Sequence, residues 1–256
     1  MEVHHHSHTS RKKWTHYFWE FLMLFLAVFC GFMAENIREH KIEQHRAKDF
    51  AKSLVQDLQN DTAAINLEIK SAWLYISVAD SLLELSKAPF EGRNASAFSF
   101  YTRFVYWTVP VSWSRNTFEQ IKNSGSLRYF KNGQLLKKML EYDGLVNDIN
   151  SESSANTIRG NMLLPLINSI IEPALHHELS KHFLITLDTM STETREFFFS
   201  YKTGSLENKK EKIRELLNMV VVQQRNLQFQ INTRWQNAQS LATELIIDLK
   251  KEYHLK

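Results

Sequence analysis

Four imidazoles fall within the first eight residues, His4, His5, His6 and His8, and His16 follows. Imidazole nitrogen is a ligand for Zn, Cu or Ni. Glu2 is the one carboxylate nearby, no Cys accompanies the run, and its spacing dictates no closed tetrahedral site. These histidines are therefore weak metal candidates, and no cofactor is expected. The unbroken run is shorter than that of an expression tag, so a native, solvated tail is the plainer reading. A pH-dependent headgroup contact is a third reading, because imidazole titrates near about 6.5. His176 and His177 are neighbours. On a helix they point about 100° apart, a poor pair for one metal.

A second constellation lies between Phe98 and Arg128, where Tyr101, Trp107 and Trp113 alternate with Arg103 and Arg115. Aromatic walls with a cationic grip suit an anionic ligand, which makes Tyr101, Arg103, Trp107, Trp113, Arg115 and Arg128 a possible pocket. The plainer alternative is a distal cap, in which short irregular helices use large side chains to fill space. The stretch "KNSGSLR" offers Ser and Lys, but no partner His or carboxylate is tied to it, and a turn around Gly125 accounts for it. The sequence holds no phosphate-cradling glycine loop, no HExxH and no GxSxG. The expectation is a protein that is not an enzyme.

The third feature is a carboxylate at the mouth of an apolar run, Glu20 in "HYFWEFLMLFLAVFCGFMAEN". Three roles are open to it. It can sit at headgroup depth near His16 or Lys13, hydrogen-bond within a helix-pairing seam, or respond to protons as carboxylates do in energy-transducing membranes. By helical rise it lies about 10 Å from the centre of the run, and because a charge costs less towards the interface the headgroup role costs least.

These groups must be carried by helices. The chain has seven Gly and four Pro in 256 residues, and so few turn residues favour long helices over strands. No Gly or Pro falls between Gly31 and Pro89, or after Gly204. Residues 17–34 read as a transmembrane helix, short but flanked by Tyr17, Trp19 and the Arg11–Lys13 cluster as interfacial anchors. Phe32 and Met33 interrupt the small residues a signal-cleavage site needs, so an uncleaved anchor is expected. At about 100° per residue, Phe18, Phe21, Phe25, Phe29 and Phe32 share one face, and Glu20, Leu24, Ala27, Gly31 and Ala34 share another. Ala27 and Gly31 form a small-xxx-small pair that admits close backbone approach. The Glu20 face suits a second helix and the Phe face suits lipid.

Residues 1–16 then form a His-rich basic tail, and residues 35–49, polar almost all round, form a helical stalk of about 20 Å. From Phe50 the pattern turns amphipathic through Leu54, Leu58, Ile65, Ile69, Trp73, Ile76, Ala79 and Leu82. Asn116 with Glu119 resembles a capping box, and Pro165 and Pro173 divide the helical stretch that follows. "STET" at 191–194 starts another short helix. The last runs from near Ser205 towards Tyr253, with coiled-coil-like spacing through Ile213, Leu217, Val220, Leu227, Ile231, Ala238, Leu241 and Leu245. Gln224 and Arg234 are its polar exceptions. Residues 50–256 are expected to form an extracytoplasmic, elongated antiparallel helical bundle.

Four segments, "MEVHHHSH", "YFWEFLMLFLAVFCGFMAE", "TFEQIKNSGSLRYF" and "LIIDLKKEYHLK", lie in order along the chain. Together they resemble an uncharacterised family of small single-pass membrane proteins of Bacteroidota. Ser126 stands where that family favours Asn, and Tyr129–Phe130 where aliphatics are commoner. The resemblance implies a native His-rich start and an inner-membrane anchor, and it carries no activity.

Charge is spread, 31 basic against 28 acidic residues for a net +3, which is a solvated surface and not a nucleic-acid footprint. The single Cys30 excludes an intramolecular disulfide. Contiguous Arg11–Lys13 before the run, against basic residues interleaved with Glu and Asp after it, points to a cytoplasmic N-terminus and a periplasmic bundle. The expected role is a membrane-anchored, non-enzymatic interaction or scaffold protein. Its partners would be the lipid bilayer and a second copy or another membrane protein, through the span or stalk. The alternatives are a ligand-sensing ectodomain acting through a partner, and a proton-coupled partner of a membrane motor.

Overall fold

In a computed structural model, residues 14–106, 111–182 and 187–255 are described, and they are helical with no strand among them. The elements are α1 (Trp14–Leu85), α2 (Gly92–Thr102), α3 (Asn116–Asn123), α4 (Gly133–Ile170), α5 (Pro173–Ser180), α6 (Thr192–Phe199), α7 (Lys210–Gln230) and α8 (Gln236–Glu252). A π-turn, Ile231–Trp235, joins α7 to α8. The chain divides into a unit ending at Phe50 and a second one, Ala51–Lys256.

In the first unit α1 leaves its apolar side chains from Phe21 to Met33 exposed, apart from half-buried Leu22: Met23 is 67% and Phe32 71% exposed. Phe21, Phe25 and Phe29 stack along one side, with ring centroids 6.2 and 6.0 Å apart. This helix is long and apolar enough to cross a membrane.

In the second unit, hydrogen bonds show which helices meet. Asp61 on α1 takes Tyr142 of α4, and further along α1, Gln239 and then Gln224 reach Asn66 and Asp80. Lys138 of α4 pairs with Asp248 of α8, and Asn156 with Asn226 of α7. Here α1 and α4 therefore run in the same sense and α7–α8 returns past both. Asn94 closes α1, its amide donating to the carbonyls of Leu85 and Pro89 at 3.0 and 2.8 Å. Asn132 caps α4 by accepting from the backbone of Gln134 and Leu135, and Ser191 caps α6 through Thr194, as "STET" predicts.

Several local expectations are corrected. Pro165 does not divide the helix: α4 runs through it, held by buried Leu163, Ile167 and Ile170 on either side. A proline removes one N–H from the ladder, and three buried anchors outweigh that loss. Asn116 is the first residue of α3 and not its cap. Arg115 holds the preceding position in helical conformation, and Glu119 turns its carboxylate to Arg115 and Lys122 instead.

The aromatic run is also not gathered at one end. Phe98 and Phe100 pack on Phe90 and Phe198. Tyr106 then leaves a short 3-10 turn in extended conformation. The chain next runs beside α1, where the backbone N–H groups of Ser114 and Thr117 donate to Asp61 and Asp57.

Candidate functional site

The buried face of α1 carries the unexpected residues. Sequence spacing leads from Ile65 to Ile69 and Trp73, yet Trp73 is 48% exposed while Glu68, Ala72 and Tyr75 are buried. Steps of four advance about 40° beyond a full turn, so a run of them walks off the face. Alternating steps of four and three stay on it, through Leu54, Leu58, Asp61, Ile65, Glu68, Ala72, Tyr75, Ala79 and Leu82. Two carboxylates, one heptad apart, thus occupy core positions.

The same alternation on α7 buries Leu216, Val220, Gln223, Leu227 and Gln230, leaving Leu217 half-buried. The π-turn then takes up an extra residue, so Gln230 and Trp235, five apart, both face inward. Beyond it the seam continues through Ala238, Ala242 and Leu245 instead of Leu241. The expected polar exceptions have defined partners: Gln224 binds the Ile76 carbonyl and Asp80, and Arg234 pairs with Glu152.

Asp61 is satisfied. One carboxylate oxygen accepts from the Ser114 backbone at 2.7 Å and the other from the Tyr142 hydroxyl at 2.8 Å. Burial raises its pKa, with Asp57 adding to that, while those two hydrogen bonds and the nearby Arg115 pull it back. Arg115 pairs with Asp143 and, at 3.0 Å, with Glu119, and its guanidinium lies 5.7 Å from the centre of the Phe118 ring. A cavity of about 20 Å³ beside these groups is walled by Leu54, Leu58, Met139, Leu245 and Leu249. That is room for a single water. The acid, phenol and guanidinium are spent on the chain itself, and their arrangement clamps the returning 111–115 segment between α1 and α4.

Glu68 differs. It is 6% exposed and lines a cavity of about 10 Å³ with Val111, Ile149, Ser153, Asn156, Gln230 and Trp235. Its carboxyl has no hydrogen-bond partner among the described residues, and burial pushes its pKa up to about 7. Asn156 collects donors from Arg159, Gln223 and Asn226. Among these seam residues, the Tyr75 hydroxyl and the Gln223 carbonyl oxygen are buried without a hydrogen bond. The seam between α1, α4 and α7 holds a polar layer whose hydrogen bonding is incomplete.

The residues singled out from the sequence are dispersed. Tyr101 lines an open hollow with Ser81, Glu84, Arg93, Asn94 and Phe199. Arg103 lies 3.3 Å from His176, Trp113 donates to Asn150 at 2.8 Å, Arg115 joins the Asp143 cluster, and Arg128 stacks on Tyr129. Trp107 lies outside the described residues, as do His4, His5, His6 and His8. The structure does not bring the other five together. No cluster of three potential metal ligands occurs among the described residues. Glu20, Leu24, Ala27, Gly31 and Ala34 all lie exposed on α1, and Glu20 shares a shallow hollow with His16, Trp19, Met23 and Leu24.

The chain matches no protein-family model, no curated protein and no solved structure.

Asp61 and Glu68 are not among the residues singled out from the sequence; the signal that marks them is a 4/3 alternation of apolar residues that continues on both sides of each acid. Gln223, Gln230 and Asn156 carried no comparable signal, because polar residues at core spacing are ordinarily read as breaks in the pattern.

Proposed function

We propose that this chain is a membrane-anchored, non-enzymatic interaction or scaffold protein that self-associates through its N-terminal helix. One observation carries the reading. Over its N-terminal stretch α1 leaves its large apolar side chains exposed, among them Phe21, Met23, Leu24 and Phe32. Exposed apolar surface of this extent needs lipid or another helix to cover it. The Phe stack supplies a lipid-facing side, and Leu24, Ala27, Gly31 and Ala34, with Glu20 at their mouth, supply a side that admits a second backbone.

In this proposal residues 1–16 are cytoplasmic, the span lies in a bacterial inner membrane, and residues 50–256 form a periplasmic elongated antiparallel bundle. The contiguous Arg11–Lys13 cluster supports that orientation. The return of α7–α8 past α1 and α4 supports the bundle. Membership of the Bacteroidota family rests on the resemblance of the four segments.

Cysteines placed in turn at Leu24, Ala27, Gly31 and Ala34, in a Cys30→Ser background, test the assembly in native membranes. Disulfide-linked dimers on this face and not at Phe21, Phe25 or Phe29 are expected. Monomers throughout reject self-association.

A second reading, a ligand-sensing ectodomain acting through a partner, is favoured by the hollow around Arg93, Asn94, Tyr101 and Phe199. The Arg93 guanidinium lies 5.4 Å from the centre of the Phe199 ring and pairs with Glu196 at 2.6 Å. A thermal-shift screen of the full chain against anions, peptides and sugars tests it, and silence across all three rejects it.

A further inference from the structure

The polar layer between α1, α4 and α7 belongs neither to the anchor nor to the hollow. Helical bundles fill such positions with aliphatic side chains unless polarity serves register or switching. Here α1 contributes Glu68, α4 contributes Asn156, and α7 with its π-turn contributes Gln230 and Trp235. A π-turn in a helix of this length interrupts the regular ladder, and such turns often mark functional positions. Glu68 and Gln230 face one cavity, and neither side chain has a hydrogen-bond partner among the described residues.

We propose that Glu68 makes this seam a proton-operated latch, closed when its carboxyl is neutral and opened at the π-turn when it is ionised. A neutral carboxyl is both donor and acceptor, and so complements a carboxamide such as that of Gln230. An ionised one can only accept, and a carboxylate in an apolar, unpaired setting draws water into the seam or leaves it. Loss of one proton to solvent therefore turns a neutral carboxyl, able to donate and accept within the seam, into an uncompensated buried charge.

Among the described residues no second charge lines the cavity. Glu68 is the one charged residue among those lining the cavity, and residues 107–110, which adjoin Val111, are Trp, Thr, Val and Pro. On α4, Glu152 and Arg159 are paired with each other, and Arg234 of the π-turn joins Glu152 at 3.5 Å. On α1 itself the flanking titratable groups are Asp61, held by Tyr142 and Ser114, and buried Tyr75. Arg115 of the returning segment is engaged with Asp143. The neutral form is the stable one up to a pH near 7, where burial places the carboxyl.

Hydrogen–deuterium exchange on the full chain in detergent tests the latch, comparing pH 6 with pH 8.5 after correction for intrinsic exchange. In the wild type, amides between Gln223 and Gln239 are expected to lose protection by about tenfold or more at the higher pH. Glu68→Gln, which keeps shape and carries no charge, is expected to hold the same protection at both. Equal pH dependence in wild type and Glu68→Gln overturns the proposal, and so does a wild type indifferent to pH. Should Glu68→Gln fail to fold, carboxyl carbon resonances of the wild-type glutamates decide. One glutamate titrating near pH 7 supports the latch, and a full set in the ordinary carboxylate range overturns it.

Discussion

Tyr142 donates its hydroxyl to the carboxylate of Asp61 across 2.8 Å, joining α1 and α4 through residues 81 positions apart. The phenol fills the half of the carboxylate that the Ser114 backbone does not reach. Tyr142→Phe keeps the ring and leaves a buried carboxylate oxygen without its donor. The expected cost is about 1–3 kcal/mol in chemical denaturation. Asp61→Asn in the Tyr142→Phe background is expected to recover part of it, because the amide carries no charge to desolvate. A Tyr142→Phe protein as stable as the wild type would show that water replaces the phenol without loss.

Gly31 offers a test of the proposed span that the chain's own packing cannot confuse. A Cβ added at Gly31 meets nothing within 4 Å, so Gly31→Ile leaves the isolated chain undisturbed. Cross-linking at Leu24 or Ala34 is expected to fall several-fold in this variant, because a branched side chain keeps a second backbone away. Unchanged cross-linking would place the helix contact on another face.

His176 sets a pH limit of its own. Burial and the neighbouring Arg103 hold its imidazole down to about 4, against a weak opposing hydrogen bond at the Ser99 backbone. The unfolded chain binds a proton at the ordinary value near 6.5. The unfolded state is thus favoured progressively as pH falls from 6.5 towards 4, and stability declines across that window. His176→Gln is expected to flatten this acid limb while leaving the behaviour above pH 7, which belongs to Glu68, unchanged. An identical acid limb in the variant would assign it to other groups.

Pro165 sits exposed inside α4. Pro165→Ala restores an N–H to the ladder and costs no buried contact, against a gain in unfolded-chain freedom. A net gain of about 1–2 kcal/mol is expected, read as a higher Tm. A lower Tm would mean that the proline sets a bend on which α4's packing depends.

Local chemistry made much of this protein readable before any tertiary contact. Helices follow wherever Gly and Pro are missing, so α1 and α7–α8 were visible as long periodic stretches, and "STET" and Pro173 marked starts that Ser191 and Pro173 do make. The Phe stack and the Glu20 face of the N-terminal helix follow from its period alone, since both are properties of one helix. Which residues enter the core is a different matter. Trp73 and Glu68 are five residues apart on the same helix, and hydrophobicity assigns the core to the tryptophan. The structure buries the glutamate, because α4 and α7 approach along the line from Asp61 to Ala72, and a helix cannot turn one residue inward against a seam that two partners define. The pairing of Asp61 with Tyr142, the dispersal of the aromatic and arginine residues, and the place of a π-turn opposite Glu68 are likewise decisions of long-range packing. Periodicity determines that a face exists, and only the partners determine where it lies.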